Sequence, residues 1–362
     1  MTAPTAELDD SAADAAGPQA AQPARRGRWN AGTVQRLGLL VVIVGLILAF
    51  GSANAAFYDE QLTVFPMLRQ ISIVTVVGLA QLAVMSIGHM NLAVGRMAAF
   101  SAMFMGLAYQ NWGLPLYLGL LIGLLAGAAI GAFTGWTIAV TRVNSFVVTL
   151  AMDFALLGLV SLVYAQTTTA AAFTAKPAGM DALRTYSLAE VCAGPVCGSP
   201  AVPQLLLFTL VAMALTGYLY RSTRPGRELL LVGSNITAAE LSGIPTGRRV
   251  IAAHALSGAL AALAGFMLAV TTGSFTANIG ADFMLPSFLG PVLGGTLLTG
   301  GAVSIIGTLL GTTLTQVIRQ GLVLLGVGLE SLNIYLGATL LLALSTDRIR
   351  NVLLSRRAVS PR

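Results

Sequence analysis

RSTRPGRELLLVGSNITAAELSGIPTGRR, residues 221–249, is a polar island between two long apolar runs. It holds Arg221, Arg224, Arg227, Arg248 and Arg249 against only Glu228 and Glu240. Arginines near the ends of membrane spans resist translocation, so a basic loop of this kind is expected on the cytoplasmic side. Thr237 and Glu240 stand at capping-box spacing, which predicts a short helix over residues 238–242. Gly243 and Pro245 then stop it. The island is thus a topological reference from which the remaining chain can be laid out.

Working outward, the 362-residue chain is 56% hydrophobic and only 9% charged, where soluble domains average about 25% charged residues. Its mean hydropathy is +0.81. This is the composition of a polytopic, all-helical membrane protein. The formal net charge of +6 comes from arginines at span ends and calls for no nucleic acid. Lys176 is the one lysine, flanked by Ala175 and Pro177. The Gly-Lys-Ser/Thr triplet of a phosphate-holding Walker A loop is therefore missing, and energy from ATP would have to enter through another subunit. His89 and His254, the two histidines, lie in apolar sequence and make no zinc-ligand cluster. Cys192 and Cys197 bracket Gly194 and Pro195 in a polar loop. They form a disulfide if that loop is external and oxidised; two reduced thiols are the equal alternative.

Residues 1–36 are rich in Ala, Pro, Asp and Gln and end in Arg25, Arg26, Arg28 and Arg36, which reads as a disordered cytoplasmic tail. The first apolar run, 37–50, is followed by Ala53, Asn54 and Ala55, which mimic a signal-peptidase site. The long basic leader and the length of the run favour an uncleaved span. Further apolar runs fall at 65–87, 92–109, 115–140, 146–164, 204–220, 250–272, 284–298, 302–325 and 331–345. Each approaches the ~20 residues needed to cross hydrocarbon. Ten spans put the island, the N-terminal arginines and the basic tail 347–362 on one side, as the arginine bias requires. Glycine-broken segments could be re-entrant, so nine to eleven spans is the expected range. The membrane body then runs from 37 to 346, with residues 166–203 as an external loop.

Gly119, Gly123, Gly127, Gly131 and Gly135 recur every fourth residue, and Gly307 and Gly311 echo them. This spacing makes one helix stripe on which another backbone can pack closely. A weak internal repeat is also visible: GHMNLAVG (88–95) and GGTLLTGG (294–301) each interrupt an apolar stretch. Paired interruptions in two halves point to a mid-membrane binding or gating site.

Several stretches together resemble one family. GSNITAAELSGI (233–244) resembles the "G-x-N-x-x-A-A-x-x-S-G-I" loop of the monosaccharide-type permease subunits of bacterial ABC importers, the ribose/xylose/galactose branch. TRPGR (223–227) is similar to the "T-x-x-G-R" lead-in, and Ser257-Gly258 and Ala264-Gly265 match the small-residue pattern of the next span. Gly294, Gly295, Thr296, Gly300, Gly301, Gly307 and Thr308 resemble "G-G-T-x-x-x-G-G…G-T", and NSFVVTL (144–150) is similar to "P-F-I-V-T-L". The chain departs from the family at "G-I-D-L-S-V-G", where Asn91 and Ala93 replace the acidic and hydroxyl residues. It departs again at FMLPSFL (283–289), where the family has "E-L-x-A-I-A-A". The resemblance, over residues 64–347, implies a type II importer permease of about ten helices in two weakly repeated halves. It implies two permease chains, an ATPase subunit carrying ATP and Mg beneath, and an extracytoplasmic binding protein above. The implied location is the bacterial cytoplasmic (inner) membrane, and the chain itself would hold no cofactor.

Gly233, Asn235, Thr237, Ala238, Ala239, Glu240, Leu241, Ser242, Gly243 and Ile244 are the candidate ATPase-docking residues; small residues suit a helix lying in a partner's groove. An ordinary capped, solvated turn is the bland alternative. His89, Asn91, Asp153, Gly294, Gly295 and Thr296 are candidates for the translocation pathway, Asp153 because an intramembrane acid is a functional candidate by default. Arg96 is expected as an inside anchor, and His254 and Arg319 as groups satisfied within the bundle near the interface. An ion-coupled transporter would need several paired intramembrane carboxylates, and a membrane enzyme would need a catalytic pair; neither pattern is present. Within the importer class, branched-chain amino acids or nucleosides stand as alternatives to a sugar.

Overall fold

The computed structural model describes residues 31–328 except 170, 191, 194, 195 and 198, with a few positions between 331 and 341. The tail before residue 31, most of the expected run at 331–345 and the basic tail 347–362 lie outside the described residues. Helix α1 (Ala31–Ala53) leads through two short turns into α2 (Phe65–Met85), which ends at a break. Beyond the break come α3 (Val94–Gln110), α4 (Leu116–Thr141) and α5 (Ser145–Thr167). The next segment carries strand β1 (Ala172–Phe173), α6 (Met180–Thr185), β2 (Cys192–Ala193) and β3 (Val196–Cys197). Helices α7 (Leu205–Ser222), α8 (Arg224–Ser234), α9 (Ile236–Leu241) and α10 (Thr246–Thr272) follow. Strand β4 (Phe275–Thr276), α11 (Met284–Leu293) and α12 (Ile305–Leu324) close the described chain.

Among the described residues, six helices are long and apolar enough to cross a membrane: Gln35–Ala53, Glu60–Met85, Leu116–Thr141, Ser145–Thr167, Leu205–Ser222 and Thr246–Thr272. The expected third, eighth and ninth runs are α3, α11 and α12. At 10 residues, α11 falls well short of the ~20 needed to cross alone.

Helices α2 and α10 are the centre of the bundle. Every residue of α2 from 71 to 85 is buried, as expected of a helix that is apolar all round. The glycine stripe of α4 is what admits α10 beside it. A Cβ at Gly127 would fall 2.7 Å from the Ala262 Cβ, and one at Gly131 would fall 2.9 Å from the His254 carbonyl carbon. From the other side, a Cβ at Gly258 would lie 2.9 Å from the Gly127 carbonyl carbon. The two backbones run in contact because neither has a side chain there. Gly290 and Gly311 repeat this arrangement between α11 and α12.

Arg248 and Arg249 of the island lie at the start of α10; at its other end an aromatic cap closes the bundle. Strands β1 and β4 pair antiparallel, Ala172 with Thr276 and Phe173 with Phe275. Phe173 and Phe275 are fully buried. The Tyr164 ring lies 4.9 Å from Phe173, and its hydroxyl donates to the Phe275 carbonyl at 3.0 Å. The β2–β3 hairpin places Cys192 opposite Cys197 in its register; the side chains of these two residues lie outside the described residues.

Gly131→Val forces a side chain into backbone, and overpacking of this kind costs about 1–3 kcal/mol. Gly158 in α5 has nothing within 4 Å of a Cβ, so Gly158→Ala is expected to be neutral or to stabilise by up to about 1 kcal/mol. Thermal unfolding of the two purified variants in detergent checks the contrast, and equal melting temperatures would contradict the packing.

Candidate coupling and translocation site

The basic island folds as two helices rather than as a loop with one turn. Thr223 caps α8, its Oγ1 accepting from the Gly226 N–H at 3.2 Å, and Pro225 suits the first turn. The chain leaves α8 extended at Asn235, with φ −163°. Asn235 Oδ1 then accepts from the Ala238 N–H at 3.0 Å. This corrects the expected capping box: Asn is among the strongest N-cap residues, and it starts α9 at Ile236, two residues early. Thr237 sits inside the helix, and Glu240 instead accepts from the Thr246 hydroxyl at 3.0 Å. At the far end the Ile244 N–H donates to the Ala239 carbonyl and the Gly243 N–H to that of Glu240. With Gly243 at φ +75°, this is a Schellman ending. Ala239 is buried beneath the turn, whereas Leu241 is 86% exposed and Ile236 50%. Helix α9 therefore presents two apolar side chains outward on a well-fastened frame.

Gly233 does not face outward with them. It lies at a junction where α8 meets both interruptions of the apolar sequence. A Cβ at Gly233 would fall 2.6 Å from the Gly301 nitrogen and 3.0 Å from Ile87 Cα, and would overlap the Ser86 carbonyl oxygen. Likewise, a Cβ at Gly300 would fall 2.6 Å from the Gly88 nitrogen. The Gly301 N–H donates to the Ser86 carbonyl at 3.0 Å, joining one break to the other. Tyr220, at the end of α7, adds a hydroxyl contact to Ser86 Oγ at 3.1 Å.

A helix break inside a membrane body leaves backbone groups that protein must satisfy, and the first break does so residue by residue. The His89 N–H donates to the Val84 carbonyl and the Met90 N–H to Ser145 Oγ at 3.2 Å. The Ala93 N–H donates to Asn91 Oδ1 at 3.0 Å. Thr149 Oγ1 donates to the Met90 carbonyl at 3.4 Å. Gln81, turned as its neighbours require, donates to the Asn91 carbonyl at 2.9 Å and accepts from the Asn91 N–H at 3.2 Å. Asn91 itself is fully buried and donates from Nδ2 to Ser257 Oγ on α10 at 3.0 Å.

The break also carries His89 to α10, where its Nδ1 stands 3.4 Å from His254 Nε2. His254 is fully buried, and its Nδ1 has no hydrogen-bond partner among the described residues. The expectation that bundle contacts satisfy His254 thus holds for one ring nitrogen. Arg96, expected as an inside anchor, is paired within the bundle: its Nε lies 3.8 Å from Asp153 Oδ1, with both side chains largely covered. Gly294 and Thr296 lie in the connection between α11 and α12, and a Cβ at Gly295 would fall 2.7 Å from Gln35 Oε1 on α1. A Cβ at Gly294 would lie 2.5 Å from the Thr308 nitrogen. Thr296 Oγ1 accepts from the Ser304 N–H at 3.1 Å. Among the described residues, no group of three or more His, Cys, Asp or Glu could hold a metal ion.

Glu228 was passed over in the sequence as one of two acids in a basic island. Its carboxylate, only 10% exposed, accepts from Arg224 Nε at 2.9 Å and lies 2.6 Å from Arg249 Nη2 on α10. Burial alone raises its pKa, but hydrogen bonds and charge from the two arginines outweigh this and hold it below its ordinary value. Gln81 goes unmarked in the sequence, and Ser257 stands there only in a small-residue pattern, without its bond to Asn91. The available signal was a polar residue in an otherwise apolar span, which by itself does not name its partner.

With this geometry in place, the chain can be set beside known proteins. A family model described as "Branched-chain amino acid transport system / permease component" matches residues 63–344. The chain is 32% identical over 325 residues to the probable ABC transporter permease protein YphD of Escherichia coli, covering 90% of this chain and 92% of that protein. It is 30% identical to the fructose import permease protein FrcC of Rhizobium meliloti, over 86% of this chain and 85% of the relative. It is 29% identical to the autoinducer 2 import system permease protein LsrD of Salmonella typhimurium, over 84% and 87% respectively. No solved structure matches the chain.

Two outcomes follow for stability. Gln81→Leu strips both partners from the buried Asn91 backbone, and an unsatisfied buried group costs about 1–3 kcal/mol. A melting temperature equal to that of the native chain would remove Gln81 from this role. For Glu228, a lowered carboxylate pKa contributes stability that is complete above the unfolded pKa and lost as pH falls through the folded one. The melting-temperature gap between the native chain and Glu228→Gln should hold from neutral pH to the ordinary value of 4.5 and close below it. A gap that widened on acidification would contradict the ion pairs.

Proposed function

The chain belongs to the branched-chain amino acid transport system / permease component family, and from that premise we propose that it is the membrane-spanning permease subunit of an ATP-driven importer of a small polar solute, a monosaccharide first. The observation that carries the reading is the junction of Gly88, Gly233, Gly300 and Gly301. There a capped element with exposed apolar residues touches both breaks of the membrane body. A partner pushing on Ile236 and Leu241 moves α8, and α8 abuts the segments whose displacement opens or closes a path. Alternating access by such rigid-body shifts needs no nucleotide in this chain. ATP and Mg belong to an ATPase subunit docked at α9, solute arrives from an extracytoplasmic binding protein, and a second permease chain completes the pathway. In this reading about ten spans in two related halves lie in the bacterial cytoplasmic membrane, with the island and both termini inside.

The family description names branched-chain amino acids, and the relatives are named for fructose and autoinducer 2. An amino acid brings an ammonium and a carboxylate that both need counter-charges in a low-dielectric site. Asp153 already has Arg96. Half-buried His89, a neutral donor and acceptor at the first break, suits a sugar hydroxyl better than either charge of an amino acid. The same pairing of Asp153 counts against an ion-coupled mechanism.

Reconstituted vesicles containing the permease, with and without the candidate ATPase and binding protein, are expected to take up labelled sugar only when ATP is hydrolysed. Uptake that persisted without ATP and collapsed with an ionophore would overturn the reading. In the same preparation Leu241→Asp should weaken ATPase co-purification roughly thirtyfold, the cost of a lost interface hot spot, while the permease stays inserted.

A further inference from the structure

The island's two carboxylates perform the same task at two places: each fastens a helix of the docking element to the first turn of α10. Glu240 does so through the Thr246 hydroxyl at 3.0 Å, in the open. Glu228 does so through the Arg249 guanidinium, with Nε and Nη2 both at 2.6 Å from Oε2. Around Glu228, Leu229 and Val232 are buried in a cluster with Tyr220, Val250 and Ala253. Apolar contact of that kind is non-directional and allows helices to slip. A charge-assisted contact, here two guanidinium nitrogens converging on Oε2, is short and directional. Only Arg249 crosses to another long helix: Arg224, the second partner, is on α8 itself and its side chain is 87% exposed.

Helix α10 is the element worth moving. It packs along α4 through the glycine stripe, it carries His254 opposite His89, and it carries Ser257 opposite Asn91. We propose that Glu228 is a positioning residue that locks α8 to α10, so that displacement of the docking helix is delivered to the central span instead of being absorbed by sliding between α8 and α10. This rests on the importer reading above. It adds a division of labour: α9 receives the partner, and the Glu228–Arg249 pair transmits what the partner does. Losing the pair therefore separates ATP hydrolysis from transport without removing the docking surface.

The test uses vesicles holding the full-length permease with its ATPase and binding protein, comparing Glu228→Gln, Arg249→Gln, the double variant and the swap Glu228→Arg with Arg249→Glu. Each is scored for bound ATPase, ATP turnover and sugar taken up per ATP hydrolysed. Glu228→Gln and Arg249→Gln are each expected to keep the ATPase bound and turning over while uptake per ATP falls about tenfold, within the range by which single residues modulate coupling. The double variant should be no worse than either single change, the signature of one shared interaction, and the swap should recover at least half of the loss. Arg224→Gln should leave the ratio unchanged. Unaltered uptake per ATP in Glu228→Gln, a loss matched by loss of bound ATPase, or independent multiplicative effects of the two changes would overturn the proposal. If a single variant fails to insert, the swap and Arg249→Gln decide the question on the same readouts. ATP-independent uptake by the native chain would instead overturn the importer reading itself.

Discussion

A membrane interior offers no water to an unpaired peptide group, and the cost of leaving one bare there is several kcal/mol. This constraint governs the molecule's architecture. A chain that stayed helical from end to end would meet it trivially, yet this one interrupts its helices at 86–93 and again at 294–304. Each interruption is affordable because buried polar side chains have been placed to meet it: Gln81, Ser145 and Thr149 at the first, Thr296 and Ser304 at the second. The remaining bond, from Gly301 to Ser86, ties one interruption to the other. Polar residues that look incidental within apolar runs are thus the conditions for having breaks at all.

The second requirement is closeness. Glycines bring α4 against α10 and α11 against α12 without intervening side chains. In lipid, where burying apolar surface gives helices little reason to associate, such contact area is the main adhesive available. The result is a centre of α2 and α10 gripped by backbone contacts. Broader, looser faces of α1, α5 and α7 are left on the outside, as their many exposed aliphatic side chains show.

Much of this was legible in the sequence because it depends on local composition or on short periods. Apolar runs gave helices at nearly the expected places, and the four-residue glycine period marked a packing stripe. The arginine-rich island was recognisable as a distinct element. What stayed hidden depends on partners far apart in the chain. His89 finds His254 at a separation of 165 residues, and Asn91 finds Ser257 at 166. Arg96 had every appearance of an end-of-span arginine until the fold brought Asp153 beside it. Helix α9 starts two residues before the expected place for a different reason. Thr237 and Glu240 satisfy a spacing rule, but the extended backbone at Asn235 decided where the helix could begin. The helical nature of 224–234 was obscured by Pro225 and Gly226, which break helices in their interior and are tolerated in a first turn.

The two ends of the bundle are closed with different materials. At the end away from the arginines, fully buried aromatic rings lie on a two-stranded ladder and hold it by side-chain packing. At the arginine end, Gly88, Gly233, Gly300 and Gly301 bring peptide against peptide, with Tyr220 and the apolar side chains of α8 packed beside them. A larger residue at the glycine junction must therefore displace backbone, whereas a change at the ring-lined end is met first by side chains.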